Sequence, residues 1–311
     1  MIKFNISLAT CFISCMTLLV ACHSNKSEQS PSAAVLDTVS LSSKRFALAY
    51  QDGDKIVATS IDTMKQISFG GATHPAISPD GNKLAYTVKD SAGNNSIWVA
   101  DMESKSQLKL QVNSKNYDHA VWSPSGETIA FNFLNDKQIW KVGIIKADNT
   151  GFLILDNKSA IGVSSPVWKT ETELIAHDLK NIYTFSLNGK IVDTKSIVGL
   201  LGAAYHISES DRFFYAQNGK TLVFNAKYGN AITELNDMVN AVFILDLNTQ
   251  KVKRISPDGM NATDVFVTAD DRIFYSGAEK PYTQSKIYVS DLDGHIKMLV
   301  NKGMNPTATL K

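Results

Sequence analysis

The sequence predicts an all-β protein, a six-bladed β-propeller in which the C-terminal strand completes the N-terminal blade. Three observations predict it. A strand, a tight polar turn and a second strand recur along the chain at intervals of a few tens of residues, and each such hairpin is followed by a further strand that opens on an aromatic residue. The two ends of the repeat region are also complementary fragments of one more unit.

The hairpins are AISPDGNKLAYT from Ala76, VWSPSGETIAFN from Val121, VWKTETELIAHD from Val167, HISESDRFFYAQ from His206 and VFVTADDRIFYSG from Val265. Pro, Asp, Gly and Ser fill the turns, and β-branched and aromatic residues fill the flanking strands. Aligned on Ser78, Ser123, Lys169, Ser208 and Thr268, the copies are spaced by 45, 46, 39 and 60 residues. The downstream strands carry Trp98, Trp140, Tyr183, Phe243 and Tyr288, and an aromatic at one position of every unit is read as packing between blades. Two of these strands run into Asn188-Gly189 and Asp293-Gly294, strong signals for a tight hairpin.

The string ISPDG occurs at Ile77–Gly81 and again at Ile255–Gly259. The second copy precedes a segment, NATDVFVTADDRIFY, that already contains its own hairpin, so Ser256–Asp264 is expected to be a loop between blades. Five full units then run from about residue 73 to 304. Leu41–Ser68 supplies later strands without an opening one, and Asn305–Lys311 supplies an opening strand alone; joined, they close the ring and leave no open sheet edge.

Ahead of the propeller, residues 1–21 carry Lys3, an apolar run and small residues, the pattern of an export signal. Leu19-Val20-Ala21-Cys22 resembles a bacterial lipobox, which implies cleavage before Cys22 and lipidation of that residue. His23 and Ser24 follow, and the absence of Asp at the second position implies, by analogy with enterobacterial sorting, an outer-membrane lipoprotein facing the periplasm. Residues 22–40 then form the lipidated Cys and a flexible tether, and 41–311 the propeller. Lys and Arg number 31 against 30 Asp and Glu, and no basic block occurs, so nucleic acid is not an expected partner. All three cysteines, Cys11, Cys15 and Cys22, lie in or at the end of the signal, which excludes disulfides, a Cys nucleophile and thiolate metal ligation from the folded part.

The ISPDGNKLAYT and VWSPSGETIAFN hairpins and the IWVAD strand resemble the repeat of TolB-type β-propellers, a WD40-like repeat also found in the propellers of prolyl-oligopeptidase-like enzymes. The resemblance covers roughly Arg45–Lys311 and is weakest in the fourth unit, where Lys169-Thr170-Glu171-Thr172 replaces Ser-Pro-Asp-Gly. It implies the fold and an envelope compartment. TolB itself has a further N-terminal α/β domain and is soluble, whereas only a tether is expected here; a peptidase would need a Gly-x-Ser-x-Gly elbow, which this sequence lacks.

No phosphate loop, HExxH motif or dinucleotide fingerprint is present, so candidate site residues come from ring geometry. Four residues before each anchor, at the start of the innermost strand near one channel mouth, stand His74, His119, Ser165, Ala204, Asp264 and, in the composite blade, Asn305. His74, His119, Asp264 and Asn305 are the candidate binding residues. His74, His119 and Asp264 are also the conceivable ligands of a metal, although no metal, cofactor or catalytic residue is assigned, and capping of strand ends in a wet channel is the simpler role. His206 lies further along its strand, and His177 reads as packed or surface. The fifth unit is longer by about Gly219–Asn240, an extension expected between its second and third strands on the same face as the −4 residues.

Together these features describe a lipid-anchored module that binds or scaffolds a protein or peptide in the cell envelope, with the membrane as its second partner through the anchor. The alternative is a lyase or hydrolase acting on a saccharide or envelope glycan at the channel mouth.

Overall fold

The computed structural model describes residues 36–37, 46–60, 66–114 and 117–309. The expected signal, Cys22 and most of the tether lie outside the described residues. Six antiparallel sheets, called here blades 1 to 6 in chain order, carry the chain. Blade 2 shows the plan, with Ala72–Ile77, Lys83–Lys89, Asn95–Asp101 and Gln107–Ser114 paired in sequence order. The first strands of blades 3, 4 and 6, Tyr117–Trp122, Ser164–Trp168 and Asn261–Val267, occupy the same innermost place and pack against the first strands of neighbouring blades. Among the described residues, no helix is long and apolar enough to cross a membrane.

Blade 1 is the composite one. Its strands run Leu36–Asp37, Gln66–Gly70, Lys55–Ser60, Phe46–Asp52 and Met304–Ala308 across the sheet. The C-terminal strand pairs Ala308 with Leu48, Thr307 with Ala49 and Met304 with Gln51, so the ring is closed as the sequence predicts.

Local chemistry explains the turns. In blade 2 the Ser78 amide donates to Lys83 O (2.9 Å) and the Gly81 amide to Ser78 O (2.9 Å), with Gly81 at φ +72°, where a side chain would be strained. Ser78 Oγ donates to Asp80 Oδ1 (2.6 Å) and accepts the Lys83 amide (2.8 Å). The core lies between blades rather than within one: Ala49, Ile56 and Phe69 of blade 1 pack on Leu84 and Tyr86 of blade 2, and Ala85 and Ile97 of blade 2 pack on Ile129 and Phe131 of blade 3. Each such large apolar side chain contributes about 1.5–3 kcal/mol on burial. Trp122 and Trp168 lock the spacing by donating Nε1–H to Ala76 O (2.7 Å) and Val121 O (3.2 Å) of the preceding blade. Of the recurrent aromatics, Trp98, Tyr183, Phe243 and Tyr288 all join these layers between blades.

The second ISPDG, Ile255–Gly259, lies between Lys251–Arg254, the outer strand of blade 5, and the innermost strand of blade 6, and is a connecting loop. Blade 5 corrects the sequence register. Its strands are Phe213–Tyr215, Thr221–Ile232, Asp237–Asp246 and Lys251–Arg254, so FFY is its innermost strand and not its second. The turn matching Ser78–Lys83 is Ala216–Thr221: the Ala216 amide donates to Thr221 O (2.9 Å), and the Gly219 amide to Ala216 O (2.9 Å). Ser208 is therefore not an anchor. The additional length ahead of this strand is a short helix, Ile197–Leu201, capped by Ser196, followed by a segment that meets the sheet through a backbone bridge from His206 to Lys227 and through the Tyr205 ring, which packs on Phe224, Tyr228 and Phe243.

Candidate functional site

With Ala216 as the anchor of blade 5, the residue four before it is Arg212, and Ala204 leaves the set. The six positions are then Asn305, His74, His119, Ser165, Arg212 and Asp264 in blades 1 to 6. Five have left-handed backbone, with φ of +51° at Asn305, +50° at His74, +35° at His119, +54° at Ser165 and +54° at Asp264. Non-glycine residues seldom adopt this conformation. In each of these five strands the pairing register shifts at the same place, as between Thr73 and Ala76 and between Thr263 and Phe266, so the innermost strands of all blades but the fifth carry a bulge at the −4 residue.

The residues are joined along the ring. Asp264 Oδ2 accepts the Asn305 amide (3.2 Å), and Asn305 Nδ2 donates to Gln51 Oε1 (3.3 Å). Gln51 Oε1 also accepts the His74 amide (3.4 Å), and the His74 ring meets the His119 ring edge-on at 4.5 Å between centroids. Across the channel, Ser165 Oγ donates to Glu209 O (2.7 Å). His74, His119, Ser210, Arg212, Asp264 and Asn305 line one cavity that opens to solvent. The structure thus brings all four candidate binding residues together and adds Arg212 and Ser210. The missed signal was AQNGKT, which keeps Gly at the fourth turn position of SPDGNK but has Ala for Ser.

His74, His119 and Asp264 do not bring three ligand atoms within 4.8 Å of one another. Among the described residues, the group that does is the exposed Asp291, Asp293 and His295 in blade 6. Arg212 adds a permanent positive charge to the cavity wall, a poor neighbour for a cation.

A buried polar network holds Arg212 in place. Asp211, one residue earlier, is 1% exposed and accepts the Ser208 amide at Oδ2 (2.6 Å) and Asn225 Nδ2 at Oδ1. Asn225 Oδ1 in turn accepts the Arg212 amide (3.2 Å). Burial pushes the Asp211 carboxyl up to about 6, against the pull of these hydrogen bonds. His177 of blade 4 is buried too. Its Nδ1 accepts the Leu179 amide (3.3 Å), which leaves Nε2–H to donate to Asp211 O (2.8 Å), and burial lowers its pKa, so it is a neutral packed histidine.

The extension is a prolonged hairpin of Thr221–Ile232 and Asp237–Asp246, turning at Thr233–Asn236. It starts later than the sequence suggests, because Gly219 belongs to the turn at the opposite end of the blade. Ion pairs join Lys227 to Asp237 and Glu234 to Lys280, the latter in the corresponding connection of blade 6, and the Asn240 amide donates to Asn261 Oδ1 (2.9 Å). The hairpin therefore rises from the end of the blade at which the innermost strands begin.

Among solved structures, the chain is similar to TolB from Acinetobacter baumannii, with a TM-score of 0.62 and 15% identity over 85% of this chain and 66% of that one. It is similar to a putative TolB from Agrobacterium tumefaciens, with a TM-score of 0.54 and 12% identity over 85% and 92% of the two chains. A third likeness is the β-propeller domain of the Trilobed protease from Pyrococcus furiosus, with a TM-score of 0.51 and 15% identity over 83% and 84%. That propeller has an open velcro topology, whereas strand Met304–Ala308 closes this one. The chain spans about two thirds of the length of the Acinetobacter protein. No family model matches the chain, and no curated protein does. The fold is a TolB-like six-bladed propeller, and identities this low establish the fold alone.

Proposed function

We propose that this chain is a lipid-anchored propeller of the bacterial cell envelope that binds a protein or peptide at the channel mouth beside the blade 5 hairpin. The observation that carries the reading is the ring itself. Five of six blades hold a polar, non-glycine residue in left-handed backbone at the same place, four of them, His74, His119, Asp264 and Asn305, line one solvent-open cavity, and strained backbone of this kind concentrates where side chains are aimed at a ligand. The hairpin, joined to blade 6 through the Glu234–Lys280 ion pair, adds a wall on the same side. Anchoring through Cys22 and an outer-membrane, periplasm-facing location rest on the lipobox and the residues after it.

The test places a photo-crosslinking amino acid at Tyr228 or Glu234 on the hairpin, and at Asn82 or Lys220 in the turns at the other end of the blades, in the full chain expressed in cells. Expected are discrete protein adducts from the hairpin positions that the turn positions do not give. Adducts independent of position, or from the turns alone, would remove the mouth as the working face. Cys22→Ser should abolish incorporation of labelled palmitate; unchanged labelling would refute the anchor.

A further inference from the structure

We infer that the ring recognises a single carboxylate, presented by a peptide chain end or an acidic side chain, with Arg212 as its principal contact. The inference rests on the mouth being a binding face and goes further by naming the chemistry it takes.

Arg212 is 8% exposed and lines the cavity with His74, His119 and Asn305. Its guanidinium stays charged at every physiological pH and presents a planar fork of donors that matches a carboxylate through two parallel hydrogen bonds. The two imidazoles stand edge to face on the blades across from it, and the Asn305 side-chain amide adds a further donor group. One wall group opposes an anion, the Asp264 carboxylate, which already accepts the Asn305 amide at 3.2 Å. That single negative charge sets the ligand's charge. A monoanion leaves Arg212, Asp264 and ligand with one net negative charge, whereas a phosphate dianion would leave two in the same small space.

Ligand-observed saturation-transfer NMR on the full chain tests this with two pairs of capped peptides. N-acetyl-triglycine as the free acid against its C-terminal amide presents a terminal carboxylate, and N-acetyl-Gly-Glu-Gly-amide against its Gln counterpart presents a side chain. Expected is binding of at least one acid about tenfold tighter than its isosteric amide, the preferred pair identifying the source. Arg212→Lys should reduce the contrast severalfold, and Asp264→Asn should strengthen acid binding. Equal binding of acid and amide by the wild-type chain, tighter binding of phosphoserine than glutamate in the same peptide, or weaker acid binding after Asp264→Asn would each overturn the inference. The acid–amide contrast needs no variant to fold. Should the hairpin crosslink a partner while the contrast is absent, the working face stands and the carboxylate does not.

Discussion

Blades 2 and 5 close the same turn with different chemistry. In blade 2, Ser78, Asp80 and Gly81 each make the bond that their place in the turn requires, and the innermost strand runs straight into it. In blade 5 the backbone bonds of the turn are kept, but Ala216 brings no hydroxyl, and Asn218 Oδ1 alone accepts the Lys220 (2.8 Å) and Thr221 (3.0 Å) amides. The strand before it is broken by Ser208–Asp211, whose polar groups bond to Asn225 and Ser165 of the propeller instead of to a strand partner. The difference teaches where constraint sits in each blade. Blade 2 is held by its turn, whereas blade 5 is held by a buried carboxylate, and only blade 5 puts an arginine into the channel.

The largest test is Asp211→Asn. The folded pKa of Asp211, about 6, lies above the ordinary 3.8, so between these values the folded state holds a proton that the unfolded chain releases. Its contribution to stability is thus fully present below about pH 4 and is lost as pH rises through about 6. The span corresponds to roughly 3 kcal/mol. Asparagine cannot titrate, and its amide offers one oxygen where Ser208 and Asn225 both donate, at a cost of about 1–3 kcal/mol. In urea unfolding, the wild type should exceed the variant by about 1–3 kcal/mol at pH 4.5, and the gap should close or reverse by pH 7.5, as the wild type alone loses stability with rising pH. A gap that stays constant or widens with pH would show that Asp211 does not hold blade 5 in this way.

Glycine substitution asks whether the two turns are in fact the same. Gly81 has φ +72° and Gly219 has φ +62°. Alanine in left-handed backbone costs about 1–2 kcal/mol, and no atom lies within 4 Å of where a Gly219 Cβ would stand, so the cost there is conformational alone. Gly81→Ala and Gly219→Ala should lower the unfolding free energy by similar amounts. A negligible effect at Gly219 would break the equivalence and with it the placement of Arg212 in the ring.

This comparison also explains what was legible in the sequence. Fold, blade count, closure and five of the six ring positions could be read because the turns at Ser78, Ser123 and Thr268 advertise themselves through residues that only such turns need, and because Lys169 keeps its spacing. Blade 5 was misread because SESD mimics that signature. Its Ser and Asp do bond to each other, Ser208 N–H to Asp211 Oδ2, but inside a loop and not between two paired strands. A one-dimensional pattern records which residues can satisfy one another locally, not whether a strand partner stands alongside. Arg212 was hidden for the same reason, since its role depends on the register and on a network reaching Asn225, 13 residues away. The edge-on histidine pair likewise joins residues from two blades, His74 and His119, and no local spacing encodes that contact.

The smallest test exchanges the hydroxyl that opens one turn and is missing from the other. Ser78→Ala removes a hydroxyl that donates to Asp80 and accepts from Lys83, at a cost of about 1 kcal/mol, the usual net value of such a bond. Ala216→Ser adds the same hydroxyl where Asn218 Oδ1 stands in the place of Asp80, and where the Thr221 amide is already satisfied. The gain should therefore be below about 0.5 kcal/mol, because the new oxygen relieves no unsatisfied donor and its benefit is confined to one bond to a neutral acceptor. If Ala216→Ser instead stabilised blade 5 by as much as Ser78→Ala destabilises blade 2, Asn218 would not be substituting for the missing serine, and the two turns would differ in more than the source of one hydrogen bond.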